Sequence, residues 1–267
     1  MLNLIYIIIW LQIYSADLDA SRYIFQQNTD TLHMIQSRFI ADHAFVLSIA
    51  APEISRYVVF KDYIETKSLE LLYVKKGYKY CNFSIGYFQM RPRFVEELEN
   101  YIRNNELNEP TLNIVKINNW LPENIRRKIR INRLKSFYWQ IMYAYAFYYV
   151  AEHRFKDVKF RSKEEKIIFF ANAYNYGFLK PIDQIWDKTM DCNFPYGKKY
   201  KGKQDNYGEL SLYFYNKYAS ELNKISSPTK DIYKNLKYFK QIFFFSIIII
   251  VLLSMFVWKK VFKCFLL

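Results

Sequence analysis

Glycine and proline are scarce in this chain, six and seven in 267 residues. A turn-rich β sandwich needs many more at its corners, so the balance predicts long helices. Cysteine is rarer still, with three, and neither a C-x-x-C pair nor any other zinc-ligand spacing occurs. No metal and no cofactor is therefore expected. Cys264 lies beyond a C-terminal apolar run. That leaves Cys81 and Cys192 either as one disulfide or as two small buried apolar residues. The histidines His33, His43 and His153 stand far apart, without a serine or cysteine partner motif. His43 is expected to face solvent or to make a structural hydrogen bond.

What is abundant excludes disorder: 52% of residues are hydrophobic and 20% aromatic, with 25 tyrosines and 23 phenylalanines. Formal net charge is +14, which draws the protein to polyanions: nucleic acid, anionic lipid or an acidic cell-wall polymer. The ends narrow that choice. Residues 2–14, LNLIYIIIWLQIY, have the length of a signal-peptide core, with Ser15-Ala16 near a cleavage point, although the amino terminus is its only positive charge. Ile242–Trp258 carries no charge and is bounded by Lys234, Lys237 and Lys240 before it and Lys259, Lys260 and Lys263 after it. Its length and interfacial tryptophan suit a transmembrane helix. The expected layout is a signal peptide (1–16), a folded domain (17–235), a transmembrane helix (242–258) and a short basic cytoplasmic tail (259–267). The domain then lies outside the cytoplasm, at the periplasmic face of an inner membrane. There it meets little nucleic acid, so the basic run Arg126–Lys135 reads as a solvated face or as attraction to an anionic wall and membrane.

Within that domain, a first apolar block runs from Asp30 to Val74. Phe39, Ile40, Phe45, Val46, Ile49 and Ala50 recur at helical spacing. Pro52 interrupts the pattern and predicts a kink or helix end near Ser48–Pro52, which places Glu53 beside a break. Tyr63, Ile64, Leu69, Leu71 and Leu72 form a second apolar turn, and Glu65 and Glu70 read as its solvated face. Residues 75–91 hold two glycines and feed a helix over Pro92–Ile102, so they read as a loop or short hairpin. After the polar linker NNELNEPTLN come a block from Leu121 to Phe155, a helix ending at Gly177, and a helix over 209–225. No internal repeat is present.

Three separated segments share a resemblance. AAPEISRY (Ala50–Tyr57) resembles the helix end that presents the acid in soluble lytic transglycosylases, where Glu followed by Ser is typical. FSIGYFQM (Phe83–Met90) resembles that family's serine–glycine loop, and AYNYG (Ala173–Gly177) matches its Ala-Tyr-Asn-x-Gly motif. Their order is the family's order, over roughly residues 38–180. The resemblance implies a mainly α, lysozyme-like, two-lobed helical domain with a small loop or hairpin region and a cleft for amino sugars. It implies that Glu53 protonates the β-1,4 glycosidic oxygen between N-acetylmuramic acid and N-acetylglucosamine in bacterial peptidoglycan. The muramoyl 6-hydroxyl then attacks to give a 1,6-anhydro product. By motif position, Ser84, Gly86 and Gln89 would line the sugar site, while Tyr174 and Asn175 would orient the acid and the N-acetyl group.

Such an acid must be protonated near neutral pH, which apolar walls provide. Ile49, Phe83 and Tyr143–Tyr149 are the expected walls. Glu53 lies further from Gln89 than the family's spacing, so the stretch Val58–Gly77 reads as an insertion. Glu65, nearer the usual interval, is the rival acid. An ion pair of Glu53 with Arg56 is the ordinary alternative to an acid. Asp62, Glu65 or Glu70 could supply the second carboxylate of a retaining lysozyme, which leaves hydrolysis open. Two other readings remain: a glycan-binding envelope module without turnover, and a membrane-anchored structural protein with no sugar site. The expected partners are glycan strands and the membrane, with no protein partner identified.

Overall fold

The computed structural model describes residues 18–223, apart from 58, 108, 109 and 203. The expected signal segment, transmembrane helix and basic tail lie outside the described residues. Within them no helix is long and apolar enough to cross a membrane.

The domain is mainly helical. Its described elements are α1 (Leu18–Gln27), α2 (Thr29–Gln36), α3 (His43–Ser55), α4 (Val59–Ser68), a π-helical turn (Leu69–Tyr73) and α5 (Val74–Lys76). They continue with α6 (Pro92–Asn104), α7 (Pro110–Asn113), α8 (Glu123–Leu134), α9 (Phe137–Arg154), α10 (Lys163–Tyr176), α11 (Ile182–Lys188) and α12 (Tyr207–Leu222). Pairing of extended chain among the described residues is limited to two isolated antiparallel bridges, Ile85–Met90 and Phe194–Asp205. The first is the expected hairpin, closed by mutual backbone bonds of 3.1 and 3.2 Å.

α3 is the axis of the fold. Every residue from Ala44 to Ile54 is buried, the pattern of a helix enclosed on all sides. α12, α1, α10 and α9 pack around it. Asp42 starts it as an N-cap, accepting from Phe45 N at 3.1 Å. Pro52 lies in the last turn, and the helix continues to Ser55. The predicted break near Ser48–Pro52 therefore falls three residues later. Proline removes one donor, but a helix this close to its end loses only one bond. Two side chains also secure the turn: Ser21 Oγ donates to Ala51 O at 2.7 Å, and Tyr207 OH donates to Ile49 O at 3.0 Å.

The block expected from Leu121 to Phe155 is two helices, α8 and α9, separated by Lys135–Ser136. Gln140, 1% exposed, bridges the join by donating to Leu134 O. α10 ends where its glycine predicts: Gly177 has φ of +124° and donates to Ala173 O. α1 and α11 carry no strong sequence signal of their own, and both are amphipathic segments completed by packing.

A buried ionic network ties the second half of the domain together. Arg130 on α8 donates through Nε and Nη2 to Glu99 Oε2 on α6, at 3.0 and 2.9 Å. Tyr143 on α9 donates to Glu99 Oε1 at 3.0 Å, and Tyr73 of the π-helical turn donates to Glu96 at 2.6 Å. Arg130 also reaches Glu96 at 3.3 Å. Glu99 is fully buried, so each partner is needed to offset its desolvation.

Candidate functional site

Glu53, in the last turn of α3, lines a cleft of about 550 Å³, a size that admits a small ligand or a few sugar rings. It is 4% exposed. Asn175 Nδ2 donates to Oε1 at 3.1 Å, and Arg56 Nε donates to Oε2 at 2.6 Å. Each carboxylate oxygen thus has a named donor. Arg56 lies over the Phe194 ring, 5.4 Å from its centroid, and reaches Pro195 O at 3.5 Å. Burial alone would push its guanidinium down, but the charge of Glu53 outweighs this and holds it above the usual arginine range.

The second motif also lines this cleft. Ser84 Oγ donates to Gln89 Oε1 at 3.2 Å, and Gln89 Nε2 donates to Gly86 O at 2.8 Å. Gln89 adopts φ of +45°, a left-handed backbone that a side chain of its size seldom takes. Phe88 is clamped from both sides. Its N–H donates to Gln140 Oε1 at 2.8 Å, and its carbonyl accepts from Tyr174 OH at 2.8 Å. Tyr174 thereby links the third motif to the second, while its neighbour Asn175 links the third to the first. Burial, then the nearby Glu53 charge, pushes the Tyr174 phenol far up, so it remains a donor.

Glu53, Ser84, Gln89, Tyr174 and Asn175 all line this one cleft. Gly86 is not among the residues lining it. Its φ is +74°, and a Cβ there would meet Leu134 O at 2.7 Å and the Gln140 side chain closer still. Its N–H donates to Asp62. Gly86 lets the hairpin pass against the α8–α9 join.

The expected apolar walls also differ. Phe83 is exposed, and Tyr143 is committed to Glu99 and Arg133. The rings lining the cleft instead come from Phe94, Tyr174, Tyr176 and Phe194. The loop holding Asn193–Pro195 and the start of α6 were missed as walls. The Phe-Pro-Tyr-Gly sequence marks that loop as a turn, but nothing in it says where the turn docks. Asn206 does so, donating to Thr189 O and Asp191 O at 2.8 and 2.9 Å. Asn82 lines the cleft too, and it accepts from Arg93 N at 3.1 Å at the start of α6.

Asp62 and Glu65 are turned inward, not onto the solvated face assigned to Glu65. Burial raises both carboxyls above their ordinary range. Asp62 accepts from Gly86 N and, at 3.4 Å, from Tyr57 OH. Glu65 has Lys61 at 3.7 Å on one side and a second oxygen that is buried without a hydrogen bond. Neither lines the cleft. Glu70 is paired with Lys67 and Lys135, at 2.8 and 2.9 Å.

Cys81 and Cys192 are both free thiols, the first buried. His43 makes a structural contact, 2.6 Å from Tyr145 OH. No metal-binding cluster is present among the described residues. No family model, curated protein or solved structure matches the chain.

Proposed function

We propose that the protein is a peptidoglycan-cleaving enzyme of lytic transglycosylase type. In this reading it is a divergent member with a lysozyme-like two-lobed domain, held outside the cytoplasm by a transmembrane helix at residues 242–258. The observation that carries the reading is the convergence of three distant motifs on one cleft. Residues 53, 84, 89, 174 and 175 line the same space, and Asn175 is bonded to the carboxylate itself. Resemblance of short motifs requires no such meeting, and a chance match would scatter them.

In this reading Glu53 gives its proton to the glycosidic oxygen leaving N-acetylmuramic acid, and Asn175 fixes the carboxyl in the plane of attack. The same carboxylate then takes the proton of the muramoyl 6-hydroxyl as that oxygen closes on C1. The bond to the leaving sugar breaks, the 1,6-anhydro bond forms, and no water is consumed. A glycosidic oxygen approaching Oε2 competes with Arg56 for it. Access therefore requires Arg56 to swing towards the Phe194–Pro195 loop that already holds it. Asp62 and Glu65 lie outside the cleft, and the other carboxylate lining it, Glu97, is tied to Arg93 at 2.7 Å. None of the carboxylates expected for a retaining hydrolysis is thus in place, which favours the anhydro product.

The Arg56–Glu53 pair is also the observation that favours a second reading, a glycan-binding module without turnover. A carboxylate whose Oε2 is engaged by a guanidinium at 2.6 Å is a good anchor, and that oxygen is already occupied. Full-length protein incubated with purified peptidoglycan separates the two by mass spectrometry of the soluble fraction. Anhydro-muropeptides support the transglycosylase, and reducing muropeptides would mean hydrolysis. Binding without product would mean the module.

A further inference from the structure

The helical stretch from Val59 to Tyr73 is inside out. Its inward residues are Asp62, Glu65, Thr66, Leu69 and Tyr73, while Val59, Phe60, Tyr63, Ile64, Leu71 and Leu72 face solvent. Val59 and Phe60 are each 71% exposed and Leu71 63%. Phe60, Ile64, Lys67 and Leu71 follow one another at intervals of three or four, so they form one stripe. Single exposed apolar residues are ordinary on a soluble protein; six on one side of one helical segment are not. Extra hydrophobic exposure also brings no catalytic benefit here, because none of the six lines the cleft.

The charges around this face choose its occupant. Lys61 and Lys67 flank it, paired with Glu65 and Glu70, and the exposed Lys75, Lys76 and Lys79 continue from its C-terminal end. The one acidic residue near the outward side, Glu70, is neutralised by Lys67 and Lys135. An apolar stripe bordered by lysines, with its carboxylates turned inward, has the composition of a helix lying in a lipid interface. The lysine stems can lie along the apolar surface while their ammonium groups reach headgroup phosphates. The uncharged run Ile242–Trp258 has the length and composition of a bilayer-crossing helix.

We infer that the Val59–Leu72 face docks on a bilayer containing anionic phospholipid. This inference does not depend on the glycosidase reading, since it concerns a face outside the cleft.

The test uses the full chain with Cys192→Ser and Cys264→Ser, leaving buried Cys81 as the remaining cysteine. An environment-sensitive fluorophore is placed at Tyr63→Cys, at Leu71→Cys, or at Tyr213→Cys, an exposed control on α12. The protein is reconstituted into phosphatidylglycerol–phosphatidylcholine vesicles carrying a spin label high on the acyl chain. An interfacial helix predicts quenching at positions 63 and 71 at least ~3-fold stronger than at 213. Vesicles of phosphatidylcholine alone, or Phe60→Asp with Ile64→Asp, should remove most of that difference. Equal quenching at all three sites would overturn the inference. So would a lipid-free blue shift at 63 and 71 that grows with protein concentration, since a second copy would then cover the face. Quenching that ignores lipid charge would overturn the anionic requirement.

Discussion

Tyr174 shows how much one hydroxyl can hold. It is buried, and it donates to the Phe88 carbonyl, in the segment that presents Gln89. Tyr174→Phe keeps the ring and leaves that carbonyl without its donor, so it should cost about 1–2 kcal/mol of stability. In the proposed enzyme it should also lower turnover more than glycan affinity, because the hairpin loses its tether to the acid's own side of the cleft. Urea titration and steady-state kinetics together check both.

Glu65 offers a second residue-level test. Burial raises Glu65 and Asp62 in the folded state, so the native protein binds their protons more tightly than the unfolded chain. That stabilisation is fully present below the unfolded values near 4 and is lost as pH rises through the folded ones. Glu65→Gln should flatten the fall in the urea midpoint above about pH 4. An unchanged slope would mean that Glu65 ionises freely in the folded state.

The elements differ in how plainly their sequence announces them. α3 and α10 were legible from their dense apolar runs; the AYNYG helix stops at its glycine as predicted, while α3 runs past Pro52 to Ser55. The α8–α9 division was not, because Lys135 and Ser136 are ordinary helix residues and the break is held by Gln140 reaching back to Leu134. The Val59–Tyr73 segment was read with the wrong side inward. Periodicity finds an apolar face but assumes that it is buried, and here tertiary packing takes the carboxylates instead.

The hairpin illustrates the same limit at the site. Its glycine was legible as a turn, and its close packing against Leu134 and Gln140 was not. Gly86→Ala puts a methyl into Leu134 O and the Gln140 amide at φ of +74°, so it should destabilise the domain by more than ~1 kcal/mol. Cleft ligands bound by the folded fraction should keep their affinity, which thermal unfolding with and without ligand would show. A loss of affinity at full stability would return Gly86 to the sugar site.

Across the whole molecule, two constructions meet at the cleft. One is the α3 axis with α1, α10 and α12, which fixes Glu53 and Asn175. The other is the α6–α8–α9 group around Glu99 and Arg130, against which the hairpin leans through Gln140. The ion network carries the second construction. Removing one member leaves a buried charge unpaired, so Arg130→Met should cost about 3–5 kcal/mol, while the exposed pair Arg93–Glu97 should contribute under about 1 kcal/mol. Chemical denaturation of the two variants compares them directly. Site residues brought together from both constructions could be named from short motifs, whereas Arg56 over Phe194 and the walls from α6 depend on packing that no local pattern encodes.

In the proposed enzyme Glu53 is the acid of a glycan-cleaving cleft. The most direct test of this role is digestion of peptidoglycan by the intact protein and by Glu53→Gln, with binding to the same glycan measured in parallel. Anhydro-muropeptides are expected from the first and at least ~100-fold less product from the second, with glycan binding retained by both. Equal product from Glu53→Gln, or none from the intact protein, would contradict it.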